Sequence, residues 1–217
     1  MKKTTIYILI LLSALMLDGC YTSTVDSLSS FKFQLPLIFY SNYKNKAVPD
    51  TSIDFVNLTK YDEYNKNKDK IFKAEILSFN YWIDSLVMDN STPFDPKVDD
   101  VQFEYVSFSL HFAKLKTNPP KPYDINNVVN WEDDPLSPEY VLGEFTNVSV
   151  RDFYRDPSHI LDVNDEVAQV LSSAVKYKPQ FFIKSTYSKT KGQTSPKRTF
   201  PLVNARFDMI IRFQVNL

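Results

Sequence analysis

The side chains able to do chemistry are few and scattered. The chain has one cysteine, Cys20, and two histidines, His111 and His159. Cys20 lies in LLSALMLDGCYTST, directly after an apolar run, where a thiol can be acylated. The histidines offer proton transfer. His111 alternates with the apolar residues of its segment, which predicts a solvent-facing ring, and His159 follows Asp156-Pro157-Ser158 in a turn. No nucleophile-elbow motif accompanies either, so nothing supports a Ser-His-Asp relay, and no enzymatic activity is expected. Carboxylates cluster twice, as Asp89, Asp95, Asp99 and Asp100 and as Glu132, Asp133 and Asp134. Calcium takes roughly six to eight oxygens, yet neither cluster has EF-hand spacing or a glycine. Both read as solvated loop charge, with no metal and no cofactor expected. The remaining candidates are aromatic: Tyr123 and Trp131 fall in a proline-rich stretch outside any strand pattern, and Tyr140 opens the next strand. Flat rings on a loop can stack on a sugar, anchor a protein partner or pin the loop to its own domain.

Lys2 and Lys3 precede a run from Ile6 to Leu17 that is apolar apart from Tyr7 and Ser13. This run of about a dozen residues is short of the roughly 20 that a membrane-crossing helix needs. A charged start, a short apolar stretch and a small residue before the cut form a secretory signal. Leu17-Asp18-Gly19-Cys20 resembles the bacterial lipobox, with Asp18 departing from the small or neutral residue usual there. The resemblance implies cleavage before Cys20 and a lipid on that cysteine, and so a membrane partner held through the N-terminal lipid. Lipidation also accounts for the lone thiol: the mature chain then carries neither a free thiol nor a disulfide, which suits an oxidising compartment. Several acyl chains make such an anchor durable. Tyr21 stands where an aspartate would favour the inner membrane, so the outer membrane is expected, with periplasmic and surface-facing orientations both open.

Three parts follow: a signal peptide at 1–19, a flexible tether at 20–30 and a single β-sandwich domain at 31–217. The formal net charge is −1. That balance lacks the basic face a nucleic-acid partner requires. With 17 Phe, 13 Tyr and 13 Pro against 3 Gly, the composition points to strands joined by proline-defined loops.

The elements follow from periodicity. Phe31, Phe33, Leu35, Leu37 and Phe39 fall on one face with Lys32, Gln34 and Pro36 between them, and Pro36, which has no N–H for a ladder, puts this strand at an edge. Thr51 to Leu58 is a second strand, and residues 60–70 form a charged connector with room for one helical turn. From Ile71 to Ile83 the inward set changes parity, Ala74 and Ile76 first and then Phe79, Tyr81 and Ile83. Val101 to Phe112 does the same. Each change predicts a bulge or a crossing from one sheet to its partner, and the two together suggest edges where strands bend between packed sheets. Residues 116–139 are a long loop with five prolines, and Val141 to Val150 returns to β character. Asn164 caps one short α-helix near 164–177, with Val167, Val170, Leu171, Ala174 and Val175 as its stripe. Phe181 to Tyr187 is a strand, Lys189 to Pro196 a polar turn, and Val203 to Leu217 a long final strand with one wet face.

The fold expected is all-β, an antiparallel β-sandwich of immunoglobulin-like or jelly-roll-like type. The charged connector before DKIFKAEILSFNYWI, the late helix and the closing Pro201–Phe213 strand resemble the β-sandwich lipoproteins common in Bacteroidota. That resemblance implies a sandwich without enzymatic activity and supplies no substrate. The expected role is structural or protein-binding within the cell envelope, with an envelope protein as partner. A surface glycan-binding lipoprotein serving a nutrient-uptake system, built on Tyr123, Trp131 and Tyr140, is the alternative.

Overall fold

The computed structural model describes residues 30–43, 50–87, 95, 97, 101–122, 124–188, 190–193 and 202–217. Cys20, the signal segment, Tyr123, Asp89, Asp99 and Asp100 lie outside the described residues. Among the described residues there are nine strands, β1 (Ser30–Tyr43), β2 (Asp50–Asn57), β3 (Ile71–Val87), β4 (Val101–Leu115), β5 (Trp131–Asp133), β6 (Tyr140–Ser149), β7 (Gln180–Tyr187), β8 (Thr190–Gln193) and β9 (Leu202–Asn216). They build two antiparallel sheets, one ordered β1-β9-β3 and one ordered β2-β7-β4-β5, with β6 and β8 also paired to β4. The chain is therefore an all-β antiparallel sandwich.

Alternation decides the three-stranded sheet. Val203, Ala205, Phe207, Met209, Ile211, Phe213 and Val215 of β9 are all buried, and this strand sits in the middle of its sheet. β1 is an edge, as Pro36 requires, and Pro36 stands opposite Ile210. The register of β3 slips between Ile71 and Lys73, between Ile76 and Ser78, and between Ile83 and Ser85. The middle slip is the bulge expected from parity: one extra residue returns Phe79, Tyr81 and Ile83 to the same inner face as Ala74. The far edge of β3 is covered. Ala74 N donates to Ser172 Oγ at 2.9 Å, Leu161 N to Phe79 O at 2.8 Å and Arg155 N to Ile83 O at 2.8 Å. Covering an edge in this way removes a row of unpaired backbone groups that would otherwise template association.

The other sheet departs from expectation at its centre. β4 is the hub and no edge: β7 and β8 pair along one side of it, β6 and β5 along the other. Its parity change falls between the Phe103↔Val148 and Tyr105↔Thr146 pairs, where Asn147 of β6 has φ 51. A left-handed residue of the partner strand stands at that change, a feature that no reading of β4 alone contains. The polar turn at 189–196 includes β8, and the long loop at 116–139 includes β5. Strands of three or four residues are too short to show a period, and β4 recruits both by backbone pairing.

Among the described residues three short α-helices pack at the margins: α1 (Asp62–Asn67), α2 (Val150–Phe153) and α3 (Asp165–Ala174). α3 is the expected helix, capped by Asn164, whose Oδ1 accepts from Glu166 N at 2.9 Å, with Val167, Leu171 and Val175 buried. α1 fulfils the helical turn expected at 60–70, and Tyr64 ties it to the end of α3 by donating to Val175 O at 2.6 Å. α2 continues directly from β6 and was not foreseen, since four residues carry no helical stripe.

Gly143 occupies the slip where β4–β6 pairing jumps from Phe108↔Gly143 to Ser109↔Val141. Its φ is 157, and a Cβ there would lie 3.0 Å from Asp162 O and from Leu161 Cγ. The 161–164 segment must run that close because Asn164 N donates to Leu142 O at 3.1 Å, which seats the start of α3. Gly143→Ala is expected to cost about 2 kcal/mol and to lower the melting midpoint by about 5 °C, read by circular dichroism.

Candidate functional site

Of the three aromatic candidates, Tyr123 lies outside the described residues, and Trp131 and Tyr140 do not converge. Trp131 pairs with Leu115 and Tyr140 with Leu110. An odd separation along β4 sends the two rings to opposite faces of the sheet. Trp131 stacks on Phe55 at 5.6 Å and 30°, and its indole N–H donates to Ile125 O at 2.9 Å. Asn57 Nδ2 donates to Asn126 Oδ1 at 3.0 Å. Trp131 thus pins the loop across the outer face of its sheet, where Phe55 also meets Phe182. Tyr140 faces the interior and meets the Phe112 ring edge-on at 6.0 Å.

The Glu132-Asp133-Asp134 cluster is spent on lysines. Lys114 Nζ lies 3.1 Å from Glu132, Lys184 Nζ 2.5 Å from Asp133 and Lys178 Nζ 2.6 Å from Asp134. The hydrogen bond from Lys178 holds the Asp134 carboxyl below the usual carboxylate range. These pairs fasten β5 to β4, to β7 and to the chain after α3. Among the described residues no group of three metal-ligating side chains comes together.

Neither histidine is set up for proton relay. His111 is not the solvent-facing ring that alternation predicts: its side chain is only 13% exposed, covered by the Glu139 carboxylate at 3.3 Å. Ser109 Oγ also lies 3.2 Å from His111. Both contacts address Nε2. A relay needs the hydroxyl and the carboxylate on opposite ring nitrogens, so this trio cannot pass a proton through the ring. The Ser109 hydrogen bond, with His111 beside it, instead holds the Glu139 carboxyl low. His159 stacks on Phe153 at 3.7 Å and 13°, with Nε2 3.2 Å from Asp152 O.

Two features stand out that the reading of chemical residue types missed. The first lies at the seam between the edge strands β1 and β2. A cleft of about 170 Å³ there is lined by Leu37, Phe39, Asp54, Val56, Lys60 and Tyr61. Asp54 falls on the inward parity of β2, opposite Ile183. Burial pushes its carboxyl up to about 6, and its Oδ2 is buried without a hydrogen-bond partner. Tyr187, beside it in the core and bonded to Ser41, is held protonated by burial. A carboxyl in that setting takes up a proton close to neutrality.

The second feature is on the outer face of the three-stranded sheet. Tyr40 and Trp82 both stand opposite Arg206, so one rung reads Tyr40–Arg206–Trp82 straight across the sheet. The guanidinium carbon is 5.7 Å from the Tyr40 ring centre and 5.0 Å from that of Trp82, within cation–π range of both. Arg206 Nε and Nη2 grip Asp208 Oδ1 and Oδ2 at 2.8 and 2.9 Å. That pairing raises the Arg206 pKa further. The neighbouring rungs are Asn42–Asn204–Ser85 and Ile38–Asp208–Asn80. Tyr40 is 59% exposed. The signal for this row was present in the sequence: Tyr40, Trp82 and Arg206 all fall on the outward parity of their strands. That they share a rung follows only from the register.

No family model matches the chain, and no curated protein matches it. Among solved structures, a chain of Desmodium yellow mottle tymovirus is similar with a TM-score of 0.25 and 10% identity, covering 87% of this chain and 89% of that one. Apo chimpanzee polyomavirus VP1 gives 0.30 and 10% identity, covering 87% and 96%. Merkel cell polyomavirus VP1 in complex with 3'-sialyllactosamine gives 0.30 and 14% identity, covering 87% and 96%. Overlaps at these TM-scores carry no argument about function.

Proposed function

We propose that the chain is a lipid-anchored, non-catalytic binding protein of the bacterial cell envelope, held at the outer membrane through Cys20. The observation that carries the anchor is the Leu17-Asp18-Gly19-Cys20 motif following a short apolar run and two lysines. A non-catalytic role is supported by how the reactive groups are used. His111 is engaged by Ser109 and Glu139 on one nitrogen, and the acids of β5 hold lysines. The row of Tyr40, Arg206 and Trp82 on an outer sheet face supports a binding role, because these residue types dominate recognition surfaces.

Metabolic labelling with an alkyne fatty acid, followed by mass spectrometry of the mature N-terminus, tests the anchor. Labelling is expected at Cys20, and Cys20→Ser is expected to abolish it and to leave the protein uncleaved at that site. An unmodified Cys20 in the native protein would overturn the proposal.

A further inference from the structure

We propose that the Tyr40–Arg206–Trp82 row is a platform for a neutral glycan. The proposal rests on the envelope-binding reading for its setting and adds the site and the ligand class. Neighbouring strands lie about 4.8 Å apart, so rings on β1 and β3 with β9 between them are spaced roughly 10 Å apart. That span seats a short oligosaccharide across the rung. A sugar ring presents an apolar C–H face and a rim of hydroxyls. The first stacks on aromatic rings; the second pairs with planar groups that donate and accept side by side. Both needs are met here, by Tyr40 and Trp82 for the faces and by the bidentate Arg206–Asp208 pair for the hydroxyls.

Charge narrows the class. Asp208 cancels Arg206, and Asp84 lies close enough to act on the same guanidinium, which leaves no net positive charge to draw an acidic sugar. The surroundings separate a glycan from a protein partner. Protein hot spots of Trp, Tyr and Arg sit in well-packed, fully desolvated pockets, whereas Tyr40 is exposed on an outer sheet face and the rungs beside this row hold Asn42, Asn204, Ser85, Asp208 and Asn80, with Ile38 their one aliphatic member. Arg206 held between two rings also keeps both aromatic side chains in place before a ligand arrives, which lowers the ordering cost of binding.

The mature lipidated protein in detergent micelles is the material for the test. Cello-, xylo-, malto- and manno-oligosaccharides are titrated against it, alongside uronate- and sialic-acid-containing ones, with tryptophan emission as the readout. The chain has two tryptophans, so a Trp131→Phe background reports Trp82 alone. A neutral oligosaccharide is expected to shift that emission, and Tyr40→Ala is expected to weaken binding about tenfold with an unchanged melting midpoint. The proposal is overturned by silence toward every neutral oligosaccharide, by a preference for the acidic ones, or by equal affinity in Tyr40→Ala. A protein captured through this face without a glycan response also overturns it, yet leaves the envelope-binding reading standing. An unmodified Cys20 does the reverse.

Discussion

Phe207→Ala is expected to cost about 4 kcal/mol and to lower the melting midpoint by about 10 °C. Phe207 lies on β9, the middle strand of its sheet, and is fully buried. Its ring stacks on Phe39 of β1 at 4.6 Å and on Phe79 of β3 at 5.2 Å, and it meets Phe108 of the facing sheet at 5.4 Å and 64°. Removing it therefore takes one ring from three aromatic pairs and opens a cavity between two sheets that cannot both close around it. Phe79 and Phe108 remain in edge contact at 4.8 Å, so the sheets stay joined and the loss is one of stability and not of fold. Thermal unfolding followed by circular dichroism checks this, with Tyr40→Ala as an outer-face control expected to stay within about 0.5 kcal/mol of the parent. A midpoint lowered by only a degree or two would mean that Phe207 is not the keystone of the packing.

Asp54→Asn is expected to work in the opposite direction and only above mid-acid pH. The folded-state pKa of Asp54 is raised to about 6 from 3.8 by burial, so folding favours the protonated carboxyl. Its contribution is fully favourable below pH 3.8 and is lost as pH rises through about 6, leaving a buried charge at neutral pH. The groups around it do not relieve that charge: Tyr187 stays protonated, and Lys60, the one cation among the residues lining the cleft, is on its exposed rim. Two pKa units correspond to nearly 3 kcal/mol. Because solvent reaches the cleft, about 2 kcal/mol of stabilisation is expected at pH 7.5, or about 5 °C in melting midpoint. At pH 4 the variant and the parent should melt together. Denaturation midpoints measured across pH 4 to 8 check the sign, and equal curves for the two proteins at every pH would show that Asp54 does not titrate in this window.

Much of the framework was legible from period and chemistry. Strict alternation in β1 and β9 announced their inner faces, Pro36 announced an edge, and the parity change after Ile76 announced a bulge. Asn164 and the apolar stripe behind it marked out α3. What stayed hidden has a common cause. β5 and β8 exist because β4 offers free backbone groups to whatever lies beside it, and β4 itself became a hub through pairings with segments far away in the chain. From sequence Trp131 reads as a loop residue because nothing local shows that Leu115 would stand opposite it. His111 reads as exposed because Glu139, which covers it, comes from a distant segment.

The sequence by itself determined that this chain makes an antiparallel sandwich, because alternation every second residue is a local property that survives any choice of partner strand. It also determined which side chains face outward, Tyr40, Trp82 and Arg206 among them. Only the tertiary structure decided that those three share one rung, and that Asp54 lines a cleft at the seam between two edges. Register and sheet-to-sheet placement are set by the best mutual burial of many side chains at once. A slip of two residues would keep each strand's inward face and yet scatter both sites.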